Sequence, residues 1–152
     1  GIGKGSTFTV RLPARPAGEP LPPPPIPRRM DGAKAKRRIL VADDNRDGAA
    51  SLGLLLTLAG HEAHFAHDGL EAIEVAERVR PDIVLLDIGM PRLDGLEDAR
   101  RIRSETWGAG ITLVALTGWG QEDDRRKTQE AGFDHHMVKP IDYPTLSKLL
   151  EP

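Results

Sequence analysis

Cysteine is absent from the chain. That excludes disulfides, thiolate metal sites and cysteine nucleophiles. There is also no apolar run near the roughly 20 residues that cross a bilayer, and no signal peptide. A cytoplasmic location is therefore expected, for a free protein or for the soluble part of a membrane-bound sensor. Charge of one sign is not in excess: the net value is −2, so the whole chain has no strong pull toward nucleic acid or an anionic membrane. An initiator methionine is missing as well, since the sequence begins Gly1-Ile2-Gly3, and a piece of a longer protein is expected. The 152 residues leave room for one domain of ordinary size and a tail.

What is present begins with GIGKGSTFTVRL over residues 1–12. Phe8, Val10 and Leu12 alternate with Thr7, Thr9 and Arg11, the period-two pattern of a half-buried strand. Lys4 among glycines suggests a phosphate loop, but that loop needs G-x-x-x-x-G-K followed at once by Ser or Thr, and Gly5 stands there. The string GxGKGSTFTVxLP resembles instead the closing turn and last strand of the ATP-binding catalytic domain of sensor histidine kinases. The resemblance implies that residues 1–12 are the remnant of such a domain. The nucleotide-contacting boxes and the phosphoaccepting histidine segment are not in the chain, so kinase activity would belong to a parent protein and not to this stretch.

Residues 13–37 change character. Eight of the 13 prolines lie between Pro13 and Pro27, and proline fixes φ and removes donors, so an extended polyproline spacer is expected. A PxxP ligand is the other reading of that stretch. The basic run Arg28, Arg29, Lys34, Lys36, Arg37 and Arg38 reads as a solvated exit from the linker rather than a nucleic-acid arm.

From residue 38 the pattern is regular. Apolar runs at 39–42, 62–66, 83–86, 111–116 and 135–138 alternate with helical periodicity at 46–59, 69–80, 93–104, 121–131 and 142–150. The second run is the least apolar and suits a sheet edge. Five βα units without a hairpin signal imply an α/β fold, a doubly wound five-stranded parallel sheet with helices on both faces. The flavodoxin-like order 2-1-3-4-5 is the expected topology.

That arrangement gathers Asp43, Asp44, Asp87, Thr117 and Lys139 at the C-terminal ends of strands 1, 3, 4 and 5, where open α/β sheets place their ligands. Each has an alternative: Asp43-Asp44 could cap the first helix, Asp87 and Thr117-Gly118 could form turns, and Lys139-Pro140 could be a loop. Together they make a phosphoryl-transfer site, with a carboxylate nucleophile, hydroxyl and ammonium donors, and crowded carboxylates that a hard divalent ion would relieve. Mg²⁺ suits a site of few carboxylates, waters and a phosphoryl oxygen.

The strings ILVADDN, VLLDIGMPRLDG, LVALTGWG and AGFDHHMVKPID make residues 38–152 resemble the receiver domain of two-component response regulators. The resemblance implies that Asp87 accepts a phosphoryl group from a phosphohistidine. It implies that Asp43, Asp44, Asp87 and the backbone carbonyl of Gly89 hold Mg²⁺, that Lys139 pairs with the phosphoryl oxygens, and that Thr117 swings in to hydrogen-bond them. The family couples that swing to an aromatic ring three residues before the lysine. Here the position is His136, whose imidazole is smaller and titrates near neutrality, so the switch is expected to be differently coupled. Gly89 and Trp119 occupy positions that modulate dephosphorylation in the family, and Pro140 matches its cis-proline. The implied partner is a phosphohistidine-bearing kinase or a histidine phosphotransfer protein. Nucleic acid and direct membrane contact are not expected, and a weak homodimer is.

With the first twelve residues, the whole reads as the C-terminal part of a hybrid sensor histidine kinase. Output would pass through protein contacts or onward phosphotransfer, with the surface near Gln121–Ala131, Tyr143 and Leu146 as its candidate. Two other classes compete. A haloacid-dehalogenase-like phosphatase would need D-x-D, but Gly89 stands at the second position, which removes the general acid. A receiver fold kept only for docking would not need the full set of site residues. His61, His64 and His67 recur every third residue, yet a loop and a strand would not turn them to one face, so no transition-metal site is expected there. Gly60 and Gly132 read as helix stops.

Overall fold

The computed structural model describes residues 35–90, 95–118 and 125–151, together with Gly3. The expected N-terminal strand, the proline-rich linker, the entry of the third helix and Trp119 lie outside the described residues. The domain that begins near residue 33 consists of β1 (Arg38–Ala42), α1 (Arg46–Leu58), β2 (Glu62–Ala66), α2 (Gly69–Val79), β3 (Ile83–Asp87), α3 (Gly95–Ser104), β4 (Thr112–Thr117), α4 (Arg125–Glu130), β5 (His135–Val138) and α5 (Tyr143–Leu150). The five strands are all parallel and ordered β2-β1-β3-β4-β5, as the alternation of elements leads one to expect.

The sheet is held by burial on both faces. Along β1, β3 and β4 successive side chains point to opposite sides. Leu40, Ala42, Val84, Leu86, Leu113 and Ala115 meet the residues of α2 and α3 in one core. Ile39, Val41, Ile83, Leu85, Val114 and Leu116 meet α1 and α5 in the other. These strand residues are all fully buried, and each large aliphatic among them contributes about 1.5–3 kcal/mol relative to an exposed side chain. β2 is an edge strand and keeps only Ala66 buried, which accounts for its weak apolar signal.

Helix ends explain the boundaries. Asn45, Asp68 and Asp142 cap α1, α2 and α5 by accepting from the backbone N–H of Gly48, Glu71 and Thr145. Asn45, not the Asp43-Asp44 pair, therefore caps the first helix, and the two aspartates are left for other work. Gly60 and Gly132 have φ of +91° and +97° and end α1 and α4, each followed by a reach back to the helix, His61 N–H to Leu56 O and Phe133 N–H to Thr128 O. α2 stops at Val79, one residue before the expected end, because Arg80 adopts the left-handed conformation with φ 52°. Its guanidinium lies 5.0 Å from the Trp107 ring centre, a cation–π contact that helps to offset the backbone cost.

At the edge of the sheet where β4 and β5 begin, one arginine ties four segments together. Arg103 of α3 donates through Nε to Gly132 O at 2.8 Å and through Nη1 to Gly108 O at 2.8 Å and Ile111 O at 2.7 Å. Its Nη2 pairs with Asp134 Oδ2, which also accepts from Leu113 N–H at 2.8 Å. Removing the guanidinium leaves three carbonyls and a carboxylate to water or to nothing. Arg103→Ala is expected to lower unfolding stability by about 2–4 kcal/mol, and Arg103→Lys to recover less than half of it. Urea denaturation checks this; a loss under about 1 kcal/mol would mean that solvent replaces the clamp.

Candidate functional site

The opposite edge of the sheet collects the charged residues. β3 runs one residue further than the apolar pattern suggests, so Asp87 is its last residue, in register with Leu116 of β4. β4 is shifted by one, Thr112–Thr117, which places Thr117 at its end. Asp43 follows β1 and is anchored by its own N–H, which donates to Ala66 O of β2 at 3.1 Å. Lys139 follows β5, and its N–H donates to Thr117 O at 2.8 Å, so the β4 and β5 ends advance together. The Lys139–Pro140 peptide is cis, as expected.

The lysine bridges two carboxylates that lie far apart in sequence. Its Nζ donates to Asp43 Oδ2 at 2.6 Å and to Asp87 Oδ2 at 2.8 Å. The other carboxylate oxygens are held by main chain: Asp43 Oδ1 accepts from Asn45 N–H at 2.9 Å, and Asp87 Oδ1 from Gly89 N–H at 2.8 Å. Asp43 and Asp87 are buried, Asp44 is exposed, and ligand oxygens of all three lie within 4.8 Å of one another. Against these three carboxylates the ion pairs of the described residues set one ammonium, that of Lys139, which leaves an excess of negative charge. A divalent cation would be drawn to such oxygens.

Gly95 at the start of α3 permits this packing. A Cβ there would stand 2.7 Å from Asp87 O and 2.9 Å from Ile88 Cα, too close for any side chain, so glycine is what lets the helix meet the loop that carries Asp87. Thr117, fully buried, has its Oγ1 at 2.8 Å from His136 Nε2 and 3.4 Å from Met137 O. The structure thus brings Asp43, Asp44, Asp87 and Lys139 together, and it places Thr117 and His136 beside them on the neighbouring strands as a hydrogen-bonded pair. Beside the cluster runs a groove of about 530 Å³ between α1 and the turn after β5, lined by Asp43, Asn45, Ser51, Leu55, Lys139 and Ile141 among others. The sequence reading missed that groove, whose apolar wall on α1 is Leu52 and Leu55. Leu54 and Leu58 are exposed.

The histidines of the β2 region do not converge. His61 is buried with Nδ1 facing Arg37 N–H at 3.4 Å, His64 pairs with Glu62 at 2.9 Å, and His67 Nδ1 lies 3.2 Å from Asp43 O. Among the described residues the aspartate cluster alone brings together three or more groups able to hold a metal. Leu146, expected on an exposed output face, is fully buried because it fills the core between α5 and the sheet. Tyr143 of that face is exposed, and residues 121–124 lie outside the described residues.

Residues 39–151 match the sequence model of the response regulator receiver domain. The chain belongs to that family. Among its relatives is the response regulator MprA of Mycobacterium ulcerans, 42% identical over 104 residues, which are 68% of this chain and 44% of that protein. The chain thus spans less than half the length of the curated relatives it matches. The chemotaxis response regulator CheY4 of Vibrio cholerae superposes with a TM-score of 0.71 at 27% identity, covering 76% of this chain and 96% of that one. The receiver domain of the sensor histidine kinase PA1611 from Pseudomonas aeruginosa, solved with a magnesium ion in its active-site cleft, gives 0.69 at 31% identity, over 76% and 95%. The receiver domain of Ssk1 from Saccharomyces cerevisiae, solved with the histidine phosphotransfer protein Ypd1, gives 0.68 at 27%, over 76% and 86%. A receiver domain of two-component signalling accepts a phosphoryl group and relays the signal, and that is the general role of this one.

Burial alone would lower the pKa of Lys139, but its hydrogen bonds to Asp43 and Asp87 and their charges outweigh it, so the ammonium is held above its ordinary value. A raised lysine contributes stability that is fully present below its unfolded value of 10.5 and is lost as pH climbs through the higher folded one. Lys139→Met should therefore cost roughly 1–3 kcal/mol at neutral pH in the metal-free protein. The gap to wild type should narrow as pH climbs through that window, as paired urea titrations would read. A gap that stays constant through that window would place the stabilising charge on another group.

Proposed function

We propose that Asp87 is the phosphoacceptor of this receiver domain and takes its phosphoryl group from a phosphohistidine. The observation that carries the reading is the Lys139 bridge to Asp43 and Asp87 at the strand ends, with Thr117 at the end of the adjoining strand. An Asp87 carboxylate oxygen attacks phosphorus, the P–N bond to the donor imidazole breaks, and its electron pair returns to the ring. Lys139, already against Asp87, passes its charge to a phosphoryl oxygen, and the Thr117 hydroxyl donates to another. Asp43, Asp44, Asp87 and the Gly89 carbonyl would hold Mg²⁺, a fit supported by the shared reach of the three carboxylates. Bound there, the ion neutralises charge on the transferring group.

The donor is a histidine kinase or a histidine phosphotransfer protein, docking along the groove that opens beside Asp43 and Lys139. That Ssk1's receiver was solved with such a protein supports this assignment. Residues 1–12 are read as the last strand of a kinase ATP-binding domain and 13–37 as the spacer, which makes the chain part of a hybrid kinase acting in the cytoplasm. The magnesium-bound receiver of PA1611, itself from a sensor kinase, is consistent with that origin.

Incubation with Mg²⁺ and acetyl phosphate should add one phosphoryl group by mass spectrometry. The label should vanish in Asp87→Asn and on chelation of the metal. Asp44→Asn should weaken Mg²⁺ binding by more than about tenfold, since even outer-shell changes cost about that much. Label on another residue, or none on folded protein, would overturn the assignment, and continuous phosphate release under excess donor would favour the phosphatase reading.

A further inference from the structure

Asp43 is held at every one of its polar atoms. Its N–H donates to Ala66 O at 3.1 Å, its Oδ1 accepts from Asn45 N–H and its Oδ2 from Lys139 Nζ. The remaining atom, the carbonyl oxygen, lies 3.2 Å from Nδ1 of His67. A carbonyl only accepts, so this bond requires a proton on Nδ1. The cation and one of the two neutral tautomers both carry that proton, and the contact does not depend on the charge of the ring. His67 is half-buried, and its own main chain is fixed in turn. Its N–H donates to Glu71 Oε2 at 2.7 Å, while Glu71 N–H donates to Asp68 Oδ1 at 2.8 Å. A reciprocal cap at the start of α2 thus holds the residue that holds Asp43.

The oxygen that His67 meets belongs to the peptide joining Asp43 to Asp44. A peptide unit is planar, so a bond to that oxygen fixes the plane and the direction in which the chain enters Asp44. The Asp43 carboxylate needs no such help, being tied at both oxygens. Asp44 is exposed, and its carboxylate meets the other two only if the turn presents it. We infer that His67 is a positioning residue for this acidic turn: through Nδ1 it orients the Asp43–Asp44 peptide so that both carboxylates face a cation shared with Asp87. The inference rests on the reading of these aspartates as Mg²⁺ ligands. The imidazole acts on the main chain and not on a ligand oxygen, so any side chain with a donor in the place of Nδ1 serves. Asparagine has one, because its Nδ2 is bonded to Cγ as Nδ1 is in histidine; leucine has the branched shape without the donor.

Two measurements on the whole chain test it. In the metal-free wild type, ¹⁵N spectra of the imidazoles should show a proton on His67 Nδ1; an unprotonated Nδ1 overturns the inference. Calorimetric titration with Mg²⁺ alone should find binding about tenfold weaker in His67→Leu, the scale of outer-shell changes, and within about threefold of wild type in His67→Asn. Circular dichroism establishes that each variant is folded, and His67→Ala carries the same expectation as His67→Leu should the leucine variant fail to fold. An Asn variant that binds as weakly as Leu overturns the inference. Wild-type affinity in the folded Leu variant overturns it alone, whereas a wild type that binds no Mg²⁺ overturns the metal assignment on which it rests.

Discussion

The domain depends on one ammonium group placed between two buried carboxylates. Lys139 joins the end of β5 to the ends of β1 and β3, and so closes the C-terminal edge of the sheet across strands that are not neighbours. Apolar burial on both faces holds the strands together but says nothing about charge, and without a cation the aspartates at this edge would repel one another. In the proposed reaction, the same lysine that makes the site tolerable in the resting protein meets the incoming charge of the phosphoryl group. Stability and the proposed chemistry thus fall to a single residue, whose own N–H bond to Thr117 O ties it to the end of β4.

Much of this was readable in the residues themselves. The unbroken apolar runs of β1, β3 and β4 announced strands buried on both sides, and the weaker run at Glu62–Ala66 announced the edge. The chemistry-bearing residues all fall at one end of those runs, which is why the candidate site is legible in the sequence. Other features had no local signal. That Asn45 rather than Asp43 or Asp44 caps α1 depends on where the first turn begins, and that Leu146 is buried depends on the rotation of α5 against the sheet. In the sequence Arg103 is one of three arginines within Gly95–Ser104, with nothing local to set it apart. Its importance comes from carbonyls of Gly108, Ile111 and Gly132, which only the fold brings within reach.

His136 shows a different kind of limit. Its identity marked a departure from the aromatic residue usual in the family, but a smaller ring could have meant a looser switch, a cavity or a polar contact. The 2.8 Å approach to Thr117 selects the last of these. A substitution that reads as a loss in terms of volume is, in terms of hydrogen bonding, an added constraint.

The Arg103 clamp has a mechanical consequence for the working edge. It pins the first residues of β4 and β5 to α3, so the two strands are fixed at one end like reeds set in a common block. Over the five or so residues from the start of β4 to Thr117, a parallel strand extends on the order of 15 Å. Displacements at the tip that leave the block in place are therefore small tilts and side-chain rotations rather than sliding of one strand past the other. A signal that leaves by this route must be read by something sensitive to orientation.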